Sequence, residues 1–125
     1  MKIDYLKEGV DDRPIVRLYE FRSADAQRLR QTFQALAGGS TQQVRLEDIG
    51  AVESVDGTRL TFSRGNRDRG VVHHGADQFE VVLTSQGWQQ AADLTEAFCE
   101  PSTGYQWLTP HTGKIQLLLS LSGDW

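Results

Sequence analysis

Apolar residues recur along this chain with two different periods. The run Pro14–Phe21 is rich in β-branched and aromatic residues and reads as a strand. Directly after it, Ala26, Leu29, Phe33, Leu36 and Ala37 return at helical spacing, while Gln27, Arg28, Arg30, Gln31 and Gln34 fill the other faces. Ser23 stands where an N-cap hydroxyl is wanted, and Asp25 puts negative charge on the first turn. Gly38-Gly39 then supplies a left-handed stop. A second helical stripe runs through Trp88, Ala91, Ala92, Thr95, Phe98 and Cys99, with Ser85 as its expected cap. Pro101 forbids continuation, so this helix ends at or before Glu100.

The remaining apolar positions alternate. QQVRLEDI reads as a short strand with Val44 and Leu46 on one face. AVESVDGTRLTFS reads as a hairpin turning at Asp56-Gly57, with Val52 set opposite Leu60. QFEVVLT is a further strand, and Val71-Val72 extends a neighbouring one. GYQWLTPHTGKIQLLLSLSG reads as a second hairpin, turning between Thr109 and Gly113. In it Ile115, Leu117, Leu119 and Leu121 alternate with Lys114, Gln116, Ser120 and Ser122. Leu118 interrupts the polar side, so both faces of this strand are partly covered.

These elements specify a single α+β domain over residues 1–125, an antiparallel sheet packed against two helices. The expected packing sets Leu29, Phe33 and Leu36 on the sheet face that carries Leu117 and Leu119. The halves also resemble each other, since each runs strand, serine-led helix, hairpin. Ala26, Leu29, Leu36 and Ala37 share their offsets with Trp88, Ala91, Phe98 and Cys99. A tandem β-α-β-β duplication is the arrangement this implies, although any two amphipathic helices share such offsets. Ligand-binding superfamilies use duplicated units of this kind, an analogy of fold that transfers no function.

Composition narrows the class. The chain of 125 residues is 38% hydrophobic and 24% charged, a globular balance rather than a disordered one. At this length roughly two thirds of the unfolded surface is buried, so the fold needs no disulfide or metal staple. Cys99 is the one cysteine, which excludes an internal disulfide and fits a reducing compartment. MKIDYLKEGVDDRP lacks the apolar core of a signal peptide, and the run Leu117–Leu119 falls far short of a membrane span. The expectation is a cytoplasmic protein with no membrane partner.

Charge is distributed unevenly. The formal net charge is −4, yet residues 59–74 carry a local +3 and residues 75–125 a local −5. The overall field repels nucleic acid and argues against it as a partner. Within the basic segment, Arg64, Arg67 and Arg69 are interleaved with Gly65, Asn66 and Gly70, a pattern suited to clamping an anion or an acidic partner surface. The same segment has no apolar residue from Arg64 to Gly70 and is expected to be the most mobile internal loop.

Other candidates for chemistry read as structural. His73 and His74 are adjacent, so on a strand they point to opposite faces and at most one lines a given cavity. A three-dimensional ligand set from His74, Asp77 and His111 is the one metal reading open, and zinc spacings of the H-x-x-x-H or C-x-x-C type are absent. Cys99 sits at a helix C-terminus beside Glu100 and on the apolar stripe, where a thiol is held protonated. There is no nucleophile elbow, no P-loop and no dinucleotide fingerprint. No catalytic residue, cofactor or metal site is assigned.

Tyr105, Trp107 and Trp125 cluster near the C-terminus. Tyrosine and tryptophan are favoured anchors at interfaces, so these three are the candidate contact surface. By elimination the expected function is a non-catalytic binding module that meets another protein or a second copy of itself. The alternative is a small-molecule binder or small enzyme with a pocket between sheet and helices. A filled core with an aromatic patch favours the first; polar groups converging in a pocket favour the second.

The absence of any ligand spacing predicts that dialysis against a strong chelator leaves the melting temperature unchanged. A fall of several degrees restored by zinc would assign the histidines to a metal after all.

Overall fold

A computed structural model describes residues 1–10, 13–100, 104–110 and 112–125. The expected stops at Pro101 and in the turn at His111 fall on positions outside these described residues. In chain order the elements are β1 (Lys2–Val10), β2 (Arg13–Tyr19), α1 (Ser23–Gly38), β3 (Gln43–Arg45), β4 (Glu53–Ser54), β5 (Arg59–Arg64), β6 (Gly70–His73), β7 (Gln78–Leu83), α2 (Ser85–Thr95), β8 (Tyr105–Trp107) and β9 (Gln116–Ser120). The α+β class and both helices are as the sequence specifies.

The strands form two mixed sheets, ordered β4-β1-β2-β9-β8 and β3-β5-β7-β6. The expectation of a single antiparallel sheet is corrected by two parallel pairings, β2 with β9 and β5 with β7. Parallel neighbours require a crossover: both helices lie between β2 and β9, whereas β5 and β7 are joined through β6, which runs antiparallel to β7. The hairpin expected at Asp56-Gly57 does not form. β4 runs parallel to β1 in the first sheet, while β5 departs to the second. Asp56 holds this divergence open, because its carboxylate accepts the Tyr5 amide at 3.0 Å and the Thr58 amide at 3.1 Å. The strand expected over QQVRLEDI is also shorter, giving way at Leu46 to a single 3₁₀ turn, Leu46–Asp48.

β1 completes a regular repeat. The first half runs β1, β2, α1, β3, β5, and the second runs β6, β7, α2, β8, β9. β1 pairs antiparallel with β2 as β6 does with β7, and β3 with β5 as β8 does with β9. Each half delivers its last strand to the other half's hairpin, β5 beside β7 and β9 beside β2. The unit is thus β-β-α-β-β with exchanged ends, and β4 is an insertion in the first half only.

Alternation then assigns the faces. In the first sheet Ile3, Val16, Leu18, Leu117 and Leu119 point inward; in the second Leu60, Phe62, Phe79, Val81 and Leu83 do. The buried stripes of α1 (Ala26, Leu29, Phe33, Leu36, Ala37) and α2 (Trp88, Ala91, Ala92, Thr95) join them in one core. Leu29, Phe33 and Leu36 share one core cluster with Leu117 and Leu119, and Phe33 takes its aromatic partners from β5 and α2. Its ring lies 5.1 Å from Phe62, edge on, and 5.2 Å from Trp88, stacked. Trp88 is fully buried, and its indole N–H donates to the Ser63 carbonyl at 2.9 Å.

Both helix caps sit one residue earlier than expected. Arg22 occupies the cap position of α1, with the Asp25 carboxylate accepting its amide at 3.0 Å. Thr84 caps α2 by accepting the Gly87 amide, and Ser85 instead donates to the Ala37 carbonyl at the end of α1. Thr84 is itself held by Asp68, whose carboxylate accepts the Thr84 amide at 2.7 Å and its hydroxyl at 2.9 Å. A Cβ at Gly87 would lie 2.6 Å from that carboxylate, so glycine makes room for it.

The aromatic contacts predict that Phe33→Ala or Trp88→Ala destabilises the fold by about 3–5 kcal/mol, as cavity-forming aromatic truncations do. Denaturant unfolding measures this. A loss under about 1 kcal/mol in both would mean that these rings do not join the helices to β5.

Candidate functional site

The faces turned away from the core differ in chemistry. On the second sheet, register brings Gln43, Ser63, Glu80 and the chain just beyond β6 together. Glu80 accepts from the Ser63 hydroxyl at 2.5 Å and lies 2.8 Å from His74 Nε2. Gln43 donates to the Ser63 hydroxyl at 3.1 Å. The Ser63 hydroxyl, with His74 and Gln43 after it, holds the Glu80 carboxyl below the ordinary glutamate range against the opposing effect of burial. This is a serine, a glutamate and a histidine in the wrong order for nucleophilic chemistry. The carboxylate stands between the other two, so no imidazole is placed to take the hydroxyl proton.

The other candidate groups are separated. His73 stacks on Phe79 at 4.3 Å and its Nε2 lies 3.3 Å from the Ala76 carbonyl, so the adjacent histidines diverge as strand geometry requires. His111 is outside the described residues. Among the described residues no three histidine, cysteine, aspartate or glutamate side chains gather as a ligand set. Cys99 is half-buried at the end of the second helical segment, where burial pushes its thiol pKa up.

The arginine loop is hydrogen-bonded to β7 and to the start of α2. Gly65 and Arg69 donate their amides to the Leu83 and Val82 carbonyls at 3.0 and 2.9 Å, and Asp68 caps Thr84 as described. Gly70 closes the loop at φ +70°, where a Cβ would lie 2.7 Å from the Thr112 carbonyl oxygen. Arg64 turns back to α1, where its guanidinium donates to the Leu36 carbonyl at 3.4 Å and meets the negative end of the helix. Arg64 is thus engaged with α1, while Arg67 and Arg69 face solvent.

The outer face of the first sheet is laid out in rows. One runs Asp4, Arg17, Leu118, Trp107; the next runs Lys2, Tyr19, Ser120, Tyr105. Tyr105 and Trp107 stand two residues apart on β8, their rings 6.1 Å apart and edge to face. Tyr105 is 46% exposed and Trp125 is 41% exposed. Arg17 is paired and anchored. It grips Asp4 bidentately at 3.0 and 2.6 Å, donates to the Gly123 carbonyl at 2.8 Å and lies over the Tyr19 ring at 4.0 Å. This pins the C-terminal segment to the face, and Ser120 adds a bond to the Asp124 carbonyl at 2.6 Å. Beside Trp107 a groove of about 210 Å³ is lined by Arg13, Ile15, Trp107, Pro110 and Gln116. Of the three aromatic candidates, Tyr105 and Trp107 form one surface, and Trp125 ends the pinned segment. Arg13 and Pro110 were missed by sequence reasoning, because only the strand register brings them to Trp107.

No helix among the described residues is long and apolar enough to cross a membrane.

Lowering of the Glu80 pKa fixes the sign of a pH effect. The stabilisation is fully present above the unfolded glutamate value and is lost as pH falls through the lowered folded value. Ser63→Ala removes the main cause, so the variant is expected to lose less stability than the wild type across the carboxylate titration range. Chemical denaturation at a series of acid pH values reads this, and equal slopes for the two proteins would contradict it.

Comparison with known proteins finds no matching family model, no matching curated protein and no matching solved structure, so the functional reading rests on the geometry.

Proposed function

We propose that this protein is a non-catalytic interaction module of the cytoplasm, which meets a partner protein through the outer face of its first sheet. The observation that carries the reading is the pairing of Tyr105 and Trp107 on a face no helix covers, with Tyr105 46% exposed. Tyrosine and tryptophan combine large apolar area with a polar handle, and they dominate the energetic centres of interfaces. The core supports the same reading. Its inward positions are filled by apolar side chains, and the one polar cluster on the second sheet has a carboxylate in the place a base would need.

The test is affinity capture from cell extract with three proteins: wild type, Tyr105→Ala/Trp107→Ala and Arg67→Ala/Arg69→Ala. A partner held by the wild type and the arginine variant is expected to be lost by the aromatic variant. Each aromatic truncation is expected to weaken the purified complex by roughly tenfold or more. Equal recovery by all three proteins would remove this face from the functional account.

A further inference from the structure

Four strands end the two sheets, and three of them are protected. β3 carries Arg45 and β4 carries Glu53, charges that discourage an incoming strand. β6 is bridged to the chain before β9 through Val71 and Ile115. β8 has neither protection, being Tyr105, Gln106 and Trp107. Its hydrogen-bond phase is fixed by its ends. Leu121 donates to the Gly104 carbonyl at 3.2 Å and Leu108 to the Leu117 carbonyl at 2.8 Å. Gly104, Gln106 and Leu108 therefore face β9, and the amide and carbonyl groups of Tyr105 and Trp107 point away from it. Among the described residues no strand lies on that side.

The repeat supplies an internal comparison. β3 occupies the same place in the first half, and its phase is the same, since Arg64 donates to the Gln42 carbonyl at 2.9 Å. Gln43 and Arg45 there correspond to Tyr105 and Trp107 here. The same backbone edge is thus polar and charged in one half and aromatic in the other. The aromatic edge continues into the groove beside Trp107, where Arg13 is exposed and makes no ion pair among the described residues.

We infer that the β8 edge accepts an extended strand from a partner protein, one that places an apolar side chain in the Trp107 groove and a carboxylate at Arg13. The inference rests on the interaction reading above and names the chemistry of the partner. Main-chain pairing to Tyr105 and Trp107 supplies affinity, and the groove and Arg13 supply selectivity. A second copy of this chain fits less well. Its own β8 is flanked by Gly104 and Leu108 and offers no carboxylate to Arg13, and two chains of net charge −4 repel each other.

The probe is a synthetic peptide of alternating valine and threonine with a central leucine and a glutamate two residues beyond it. It is compared with the same peptide carrying lysine in place of glutamate and with a version N-methylated at alternate amides. Hydrogen exchange on the intact protein is expected to show protection of the Tyr105 and Trp107 amides by the glutamate peptide and none by the N-methylated one. The glutamate peptide is expected to bind about fivefold tighter than the lysine peptide, and Arg13→Glu to reverse that order. Arg13→Lys should keep the original order. Absence of protection by any peptide overturns the inference, as does equal affinity of the glutamate and lysine peptides. Protection that grows with protein concentration alone also overturns it, by giving the edge to a second copy. If the edge stays unprotected while the Tyr105 and Trp107 double variant still loses its captured partner, the interaction reading stands and only the strand pairing fails.

Discussion

Trp88 is the residue on which the packing converges. A buried indole brings large apolar area and one N–H that must find an acceptor. Here the acceptor is the Ser63 carbonyl on β5, while the ring stacks on Phe33 of α1 and meets Phe62 edge on. One side chain of the second half thereby fixes a helix and a strand of the first. It adds to the registration of β5 against α1 that Phe62 on Phe33 and Arg64 on the Leu36 carbonyl already provide. The hydroxyl of the same Ser63 holds Glu80 on the opposite face. The core contact and the outer polar cluster are therefore joined through one residue.

The exchange of end strands explains why both sheets are mixed and why both contribute to one core. If each half kept its own last strand, each would be a small sheet with one helix, burying little apolar surface. Exchange puts β9 between β2 and β8, and every residue of β9 is buried. Leu118, which interrupts the polar side of that strand, stands in the outer row between Arg17 and Trp107 and is fully buried.

The helices were legible because their signals are local. The stripe from Ala26 to Ala37 and the one from Trp88 to Phe98 are buried as their spacing specifies. The hairpin of β8 and β9 was legible for the same reason, with strands close in sequence and a turn between them. What failed was non-local. β1 carries Lys2, Asp4, Lys7 and Glu8, and its charges hid an alternation in which Ile3 and Tyr5 face inward. The Asp56-Gly57 signal is real as a turn, but Asp56 uses its carboxylate to bind the Tyr5 amide, so the two flanking strands separate. The cap of α2 slipped by one residue because Thr84, held by Asp68 sixteen positions away, takes the place of Ser85, and at α1 the Asp25 carboxylate accepts the amide of Arg22 instead. Of the candidate residues, Arg64 is drawn to the end of α1, a contact between positions 28 apart that no local pattern signals.

Duplication gives the chain two equivalent edges, and equivalence turns a difference in side chains into information. A short edge strand in isolation needs a device against pairing, and β3 has one in Arg45. β8 has the same backbone phase and lacks the device. Had β8 served only to complete the sheet, polar residues at 105 and 107 would cover Leu118 with less exposed apolar area, as Gln43 and Arg45 do on their own face. The aromatic pair instead makes the edge and the outer face one continuous surface, bounded on one side by the segment that Arg17 holds through Gly123. Arg17 is neutralised by Asp4 and held by Gly123 and Tyr19, so its charge is already paired. Arg13, two pleat repeats before Arg17 on β2, is exposed and makes no ion pair among the described residues, which locates the polar end of the surface at the groove rather than at the centre of the sheet.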